Sequence, residues 1–308
     1  EAWDALGGLA THSYNIGSSE RFYDFTQPPE PPEYAGPAKE YWQTESSSFG
    51  PEHPGDANSA LHASAVAARF LNDVNHGVTH WFHFVGFMEN DPNDNATRIL
   101  KYDPVTGPAA GDGDPLGTPD DGDWFTVLTK YHYLQQLTDA FDLGATFRKP
   151  TSDLEGDMSW QYGPKPRITT TVAQNPDGSW AIAINNYTDN SFLALDDPER
   201  VESDFAAWNA GQPSESFEVT VFIEELADLG DVWLTAALSG PVADGEAQLL
   251  ENELQENILL RDGFATVTVD PLQLLTLRTV AVPEPGVLIT ALGVAGLIIL
   301  RRRGNRGA

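Results

Sequence analysis

Two short apolar segments near the start of the chain end in polar side chains that could do chemistry. The segment 41–44 is followed by Glu45, and the segment 7–11 is followed by His12 and Tyr14. If these segments are neighbouring parallel strands, their carboxyl ends meet at one edge of a sheet. A carboxylate beside an imidazole or a phenol can act as a nucleophile or as a base. The alternatives are a solvated loop carboxylate and ordinary polar groups at strand ends.

Aromatic residues are the next candidates for contact with a substrate. The segment 77–87 is rich in aromatic and β-branched residues, which predicts a third strand. Trp81 lies in that segment and could stack on the flat face of a ligand or pack in the core. We assign Trp42 to the core.

An acidic loop rich in Gly and Pro is a weak candidate for a metal site. Its carboxylates are hard oxygen ligands of the kind that Ca²⁺ prefers, and they lack the spacing of an EF-hand. The candidate ligands are Asp112, Asp114, Asp121 and Asp123. A solvated acidic loop is the alternative, and no other cofactor is predicted.

The elements that would position these residues alternate between strand and helix up to residue 149. Helical spacing of apolar residues predicts helices over 59–74 and 124–141, and Gly144 is expected to stop the second one. This order is typical of a parallel α/β layer or barrel.

After Pro150 the pattern changes to short strands separated by Gly, Pro, Asn and Asp. The sequence Asn175-Pro176-Asp177-Gly178 is a strong signal for a hairpin turn. These features predict an antiparallel β-sandwich over 150–281. The predicted fold class is therefore α/β plus all-β, with a first domain over 1–149 and a second over 150–281.

The charge balance excludes one class of function. The 308 residues include 17 Lys and Arg against 46 Asp and Glu, which gives a formal net charge of −29. A protein that binds nucleic acid by neutralising phosphates needs the opposite balance. The chain has no Cys, so disulfides, thiolate metal sites and a Cys nucleophile are excluded as well.

The carboxyl end, 282–308, has its own organisation. Pro283-Glu284-Pro285 is followed by the uncharged apolar run 286–300 and then by Arg301, Arg302 and Arg303. This order resembles the PEP-CTERM sorting signal, which implies processing by a membrane-bound exosortase. The apolar run predicts a C-terminal transmembrane helix and a body that is exported to the cell envelope or the medium. A plain membrane anchor is the alternative.

Three segments in the first half of the chain resemble motifs of clan-A glycoside hydrolases, closest to glycoside hydrolase family 30. Tyr41-Trp42-Gln43-Thr44-Glu45-Ser46 resembles the nucleophile motif of the seventh barrel strand in that family. Thr11-His12-Ser13-Tyr14 resembles the end of the sixth strand, and Val78-Thr79-His80-Trp81-Phe82 resembles the eighth strand with its aromatic residue.

The resemblance implies a partial (β/α)8 TIM barrel, made of the last strands, before the sandwich. It also implies a retaining hydrolase of β-linked glycans or glycoconjugates, with Glu45 as the nucleophile. His12, Tyr14 and Trp81 would then bind the substrate.

One part of the family pattern is absent from the sequence. The acid/base Glu of the family follows an Asn, and no Asn-Glu precedes His12 here. The resemblance therefore implies the carboxyl-terminal part of a longer enzyme. A noncatalytic protein that binds polysaccharide or belongs to the envelope surface is the alternative function.

Overall fold

The computed structural model describes ten stretches of the chain. They are residues 6–12, 26, 38–46, 59–89, 98–102, 125–148, 150–153, 167–190, 213–242 and 249–279. Within them the chain forms fifteen strands and three helices. Tyr14, the four aspartates of the acidic loop and the tail 282–308 lie outside the described residues.

The first three strands form a parallel sheet in the order β1-β2-β3. They are β1 (Gly8–His12), β2 (Glu40–Ser46) and β3 (His80–His83). Thr79 fixes the start of β3 on β2, because its hydroxyl donates to the carbonyl of Tyr41 at 3.0 Å and accepts from the Tyr41 N–H at 3.1 Å. The carboxyl ends of the three strands therefore lie at the same edge of the sheet.

The helix α1 (Ala60–Asn75) connects β2 to β3 and is buried on nearly all sides. Its N-cap is Ser59, whose hydroxyl accepts from the His62 N–H at 3.5 Å, and the chain leaves it through Gly77 at φ +84°. Small side chains allow neighbouring elements to approach α1 closely, and a helix that is buried all round belongs in the interior.

A second, mixed sheet and another helix follow. The strands are β4 (Phe87–Glu89), β5 (Leu100–Tyr102) and β6 (Phe125–Val127), with β4 parallel and β6 antiparallel to β5. The helix α2 (Thr129–Ala140) starts later than the sequence predicted, because residues 125–127 pair as a strand. Gly144 follows it at φ +89°, close to the predicted stop.

The rest of the described chain is antiparallel sheet with one helical turn. Its elements are β7 (Thr146–Arg148), β8 (Ile168–Gln174), β9 (Trp180–Asn186), β10 (Phe217–Phe222), α3 (Glu224–Ala227), β11 (Val232–Pro241), β12 (Leu249–Leu254), β13 (Ile258–Leu260), β14 (Phe264–Val269) and β15 (Leu274–Thr279). Seven strands form one sheet in the order β12-β11-β15-β9-β8-β7, with β13 also paired to β11, while β10 and β14 form a separate two-stranded ribbon.

The predicted hairpin turn is confirmed. Residues 175–178 join β8 to β9, and the Gly178 N–H donates to the Asn175 carbonyl at 2.9 Å. Gly178 has φ +83°, a conformation that costs glycine little.

The central strands β8 and β9 are buried on both faces, because a different layer covers each face. On one face lies an aliphatic core shared with the ribbon, including Ile182, Val219 and Val267. On the other face Ala63, Ala67 and Leu71 of α1 and residues of α2 meet alanines of the sheet. The antiparallel strands predicted after Pro150 are therefore present, with helices packed on one side and strands on the other.

Polar side chains of α2 form hydrogen bonds where this helix packs on the sheet. The hydroxyl of the fully buried Tyr133 donates to the Leu272 carbonyl at 2.5 Å, and burial raises its pKa. Gln136 donates from Nε2 to the carbonyls of Ala237 and Leu274, at 2.8 and 3.0 Å. These bonds fix α2 on the sheet, because a buried donor without a partner is costly.

The fold class predicted from the sequence is wrong. The described residues are mostly β-sheet with few helices, and they do not show a partial (β/α)8 barrel that continues into a sandwich and a membrane helix. After β3 the chain forms short strands where a barrel requires a helix, since β-branched and aromatic residues outweigh the helical spacing. No helix of the described ranges is long and apolar enough to span a bilayer. The run 286–300, for which the transmembrane helix was predicted, lies outside these ranges.

Candidate active site

The candidate site lies at the carboxyl edge of the parallel sheet, where β1 and β2 end side by side. In the register of these strands His12 lies opposite Glu45. Nδ1 of His12 is 2.9 Å from Oε2 of Glu45. The contact that the sequence predicted for Glu45, with His12 or Tyr14, is therefore present for His12.

Glu45 reaches the surface because β2 is irregular at this point. The β2 pairings shift between Thr11 and His12 on one side and between Gln43 and Ser46 on the other. Gln43 and Ser46 are buried, whereas the Glu45 side chain is 26% exposed. The Gln43 amide oxygen accepts from the Glu45 N–H at 3.3 Å, which supports the local kink. An irregularity of this kind redirects a side chain next to a site.

The Glu45 carboxylate is held on one side and partly exposed. With a proton on Nδ1, His12 donates to Oε2, and its own side chain is 53% exposed. Among the described residues, none donates to the other oxygen, Oε1. A carboxylate with one oxygen held and the other open can act as a nucleophile or a base.

Trp81 is placed elsewhere. It lies opposite Gln43 across β2 and β3, on the face that packs on α1. Its Nε1–H donates to Oδ2 of Asp73 at 3.0 Å, and its ring meets Phe70 edge to face at 5.4 Å. The structure therefore joins Trp81 to α1 and does not bring it to Glu45, and its predicted contact with sugar stays a prediction.

An apolar cavity of about 580 Å³ lies on the same side as Trp81. Phe70, Trp81, Phe141 and Phe147 contribute to its lining, between β3, the helices and β7. Glu45 and His12 are not part of this lining, so the cavity lies behind the sheet rather than over the candidate nucleophile.

The assignment of Trp42 to the core is wrong. Its side chain is 37% exposed, donates from Nε1 to Glu40 at 2.9 Å, and lies against the ring of His80 at 4.9 Å. Its neighbours Tyr41 and Gln43 are buried, so strand alternation turns Trp42 to the opposite, open face. Alternation along β2 was the sequence signal that Trp42 faces away from Tyr41 and Gln43, and His80 lies beside it on the open face.

The other candidate residues cannot be placed relative to Glu45. Tyr14 lies outside the described residues, and so do Asp112, Asp114, Asp121 and Asp123, so their proposed roles stay predictions. Within the described ranges, no group of three or more His, Asp or Glu side chains is placed to hold a metal ion.

Comparison with known proteins gives only distant similarity. No protein-family model matches the chain, and no curated protein does. The solved structures that match the chain at low identity include glycoside hydrolases. The family 30 endoxylanase from Clostridium papyrosolvens C71 is 12% identical with a TM-score of 0.49, and the match covers 90% of this chain and 50% of that enzyme.

Two further glycoside hydrolases show the same partial coverage. The catalytic domain of family 30 xylanase C from Talaromyces cellulolyticus is 11% identical at a TM-score of 0.46, covering 91% of this chain and 46% of that one. The family 86 β-porphyranase from Bacteroides plebeius is 12% identical at 0.43, covering 89% and 41%. The chain spans half or less of the length of each of these three proteins.

Proposed function

We propose that this chain carries the nucleophile of a retaining glycoside hydrolase that acts on β-linked glycans. The observation that supports the proposal is the pair formed by Glu45 and His12 at the carboxyl edge of two parallel strands. The segment 41–46 that holds Glu45 is also the one that resembles the nucleophile motif of family 30.

In this mechanism Oε1 of Glu45 attacks the anomeric carbon of the bound sugar, and the bond to the leaving oxygen breaks as a glycosyl-enzyme forms. Water then hydrolyses that ester and regenerates the carboxylate. His12 holds Oε2 through its Nδ1–H, so that Oε1 faces the substrate. Because His12 acts through Glu45, it is a positioning residue.

A general acid is also required, about 5 Å from the nucleophile in retaining enzymes. We assign it to none of the described residues. The test should therefore use a substrate whose leaving group departs without a proton.

The test is covalent trapping with 2,4-dinitrophenyl 2-deoxy-2-fluoro-β-glycosides in gluco, xylo and galacto forms. The fluorine slows hydrolysis of the ester, and dinitrophenolate leaves unprotonated. We expect one of these reagents to add a single fluorosugar to the chain, and peptide mapping to place it on Glu45.

The matched control is Glu45→Gln, which keeps the size of the side chain and removes the nucleophile. Its labelling should be lost. Labelling that persists in Glu45→Gln, or that maps to another residue, would overturn the proposal.

A second candidate function is a noncatalytic glycan-binding protein of the cell surface. This function would require no general acid at the site. Retention of the chain by glycans without any trapping at Glu45 would support this function over the first.

We also propose export, on the basis of the Pro-Glu-Pro motif and the arginine cluster of the tail. Deleting 283–308 in the producing cell should change the processed mass of the protein or its retention at the surface. An unchanged mass and location would contradict the proposal.

A further inference from the structure

A pair of aromatic rings lies exposed on the two-stranded ribbon, far along the chain from Glu45. Phe222 of β10 and Phe264 of β14 are opposite each other in register. Their rings stack with centroids 4.3 Å apart at 25°, and the two residues are 52% and 50% exposed. Apolar surface that a folded chain leaves exposed as a flat pair is a mark of a binding site.

The turn that leads from β13 into β14 packs against this surface. Gly263 has φ +82°, and a Cβ at that position would lie 2.9 Å from Cε2 of Phe222 and 2.8 Å from the Ile223 carbonyl oxygen. The Ile223 N–H donates to the Gly263 carbonyl at 3.0 Å. The ring of Phe222 therefore packs directly on the turn and is held in place before any ligand arrives.

A groove of about 640 Å³ runs beside this ring, between the ribbon and the seven-stranded sheet. Its floor includes Trp180 and Ile182, which are buried, and its rim includes Phe222. The guanidinium of Arg148 lies 4.8 Å from the centre of the Trp180 ring and pairs with Glu225. The groove thus has a rigid base and an aromatic edge.

The same rim carries polar groups that are open to solvent. Glu218, Thr220 and Glu224 line it and are exposed. Carboxylates accept hydrogen bonds from hydroxyls, and Thr220 both donates and accepts. An aromatic face next to several hydroxyl-binding groups matches a pyranose ring, which has apolar C–H faces and a rim of hydroxyls.

We propose that this groove binds a neutral glycan chain, with a sugar ring on Phe222 at its rim and on Phe264, which stacks on Phe222 next to the groove. A neutral chain is expected because three glutamates surround the groove and the protein carries a net charge of −29, which repels anionic polymers. The inference rests on the proposed function only for the class of ligand. The site itself is separate from Glu45 and would hold a polymer without cleaving it.

The test is affinity electrophoresis of the full chain in the Glu45→Gln background, which prevents cleavage. The neutral probes are barley β-glucan, wheat arabinoxylan and galactomannan, and polygalacturonate is the anionic probe. We expect retention by at least one neutral probe and none by polygalacturonate. Phe264→Leu, which keeps apolar volume and removes the ring, should weaken that retention at least tenfold, and Phe264→Ala should do the same.

The matched control is Trp233→Ala. Trp233 is 56% exposed on β11. Unlike Phe264 it does not stack on a residue of the groove, and it does not line the groove itself, so its loss should change retention less than twofold. Equal retention in Phe264→Leu and its parent, or no retention by any neutral probe, would overturn the proposal. Light scattering that shows a dimer dissolved by Phe264→Leu, with glycan retention unchanged, would do so too.

Trapping at Glu45 in the unmodified chain separates this inference from the proposed function. Retention that depends on Phe264 without trapping at Glu45 would support glycan binding in the groove and contradict the proposed hydrolase activity. Trapping at Glu45 without such retention would support the proposed hydrolase activity and contradict glycan binding in the groove.

Discussion

His12 and Glu45 face each other across two parallel strands, with Nδ1 of the imidazole 2.9 Å from Oε2 of the carboxylate. The residues are 33 positions apart in the chain, and neither strand alone would bring them together. A shift in register next to both residues aligns them, so the geometry of the pair depends on the irregular end of β2.

Replacing His12 should slow the reaction of Glu45 without abolishing it. The pair is partly exposed, so we assign it about 1 kcal/mol, and His12→Ala should lower the trapping rate about fivefold. His132→Ala is the control, because His132 on α2 forms a similar contact with Glu251 of β12, at 3.5 Å. A rate equally reduced in both variants would contradict a positioning role for His12.

Trp81 should matter for stability more than for trapping. Trp81→Phe removes the hydrogen bond to Asp73, which is buried, and should lower the free energy of unfolding by about 1 to 2 kcal/mol. The trapping rate at Glu45 should stay within twofold, since the ring packs on α1. Urea unfolding and the trapping assay measure the two effects, and the opposite pattern would support contact with the sugar.

Gly240 should not tolerate a side chain. Its φ is +131°, and a Cβ there would lie 2.9 Å from both Cα of Gln273 and the Tyr133 hydroxyl. Gly240→Ala should lower the free energy of unfolding by about 2 kcal/mol or more, through crowding and backbone strain. Gly86→Ala is the control, because nothing lies within 4 Å of a Cβ there, and it should unfold at nearly the urea concentration of the parent.

Arg278 should stabilise the end of the seven-stranded sheet. Its guanidinium donates to both carboxylate oxygens of Asp142, at 3.0 and 2.6 Å, and to Asp177 at 3.2 Å. Arg278→Ala should lower the free energy of unfolding by about 2 kcal/mol. Arg167→Ala removes a more exposed pair with Glu215 and should cost under about 1 kcal/mol. Equal decreases in stability of the two variants, measured by thermal unfolding, would contradict the larger contribution of Arg278.

The contribution of Asp177 to the stability of the folded protein should depend on pH. Hydrogen bonds from the Ser179 hydroxyl and N–H, with a smaller effect of Arg278, lower the pKa of Asp177 in the folded protein. A lowered pKa means that the stabilisation is present above the unfolded pKa of about 3.9 and is lost as the pH falls through the folded value. Asp177→Asn should therefore be less stable than the parent at pH 7, and this difference should start to shrink below pH about 4 and disappear as the pH falls through the folded pKa. A constant gap in urea unfolding between pH 7 and pH 3 would contradict this.

Local patterns in the sequence correctly predicted a turn and two strands of this structure. The hairpin at residues 175–178 follows from the Asn-Pro-Asp-Gly turn, whose conformational preferences act within four residues. The strands that end in His12 and Glu45 follow from short apolar runs with polar ends. Runs of apolar residues and turn preferences are local properties of the sequence. They therefore indicate strands and turns even when the elements that pack against them are unknown.

The fold class and the direction of the aromatic side chains depended on the tertiary structure. Trp81 and Trp42 are both aromatic residues in short strands, yet one meets α1 and the other faces outward. Which face of a strand is covered depends on a helix that packs from elsewhere, and the sequence of the strand does not contain it. Likewise, residues 125–127 pair with β5 instead of extending α2, because pairing with a distant strand outweighed a weak local helix preference. The sequence by itself determined the residue types at the candidate site, and long-range packing decided which of them meet.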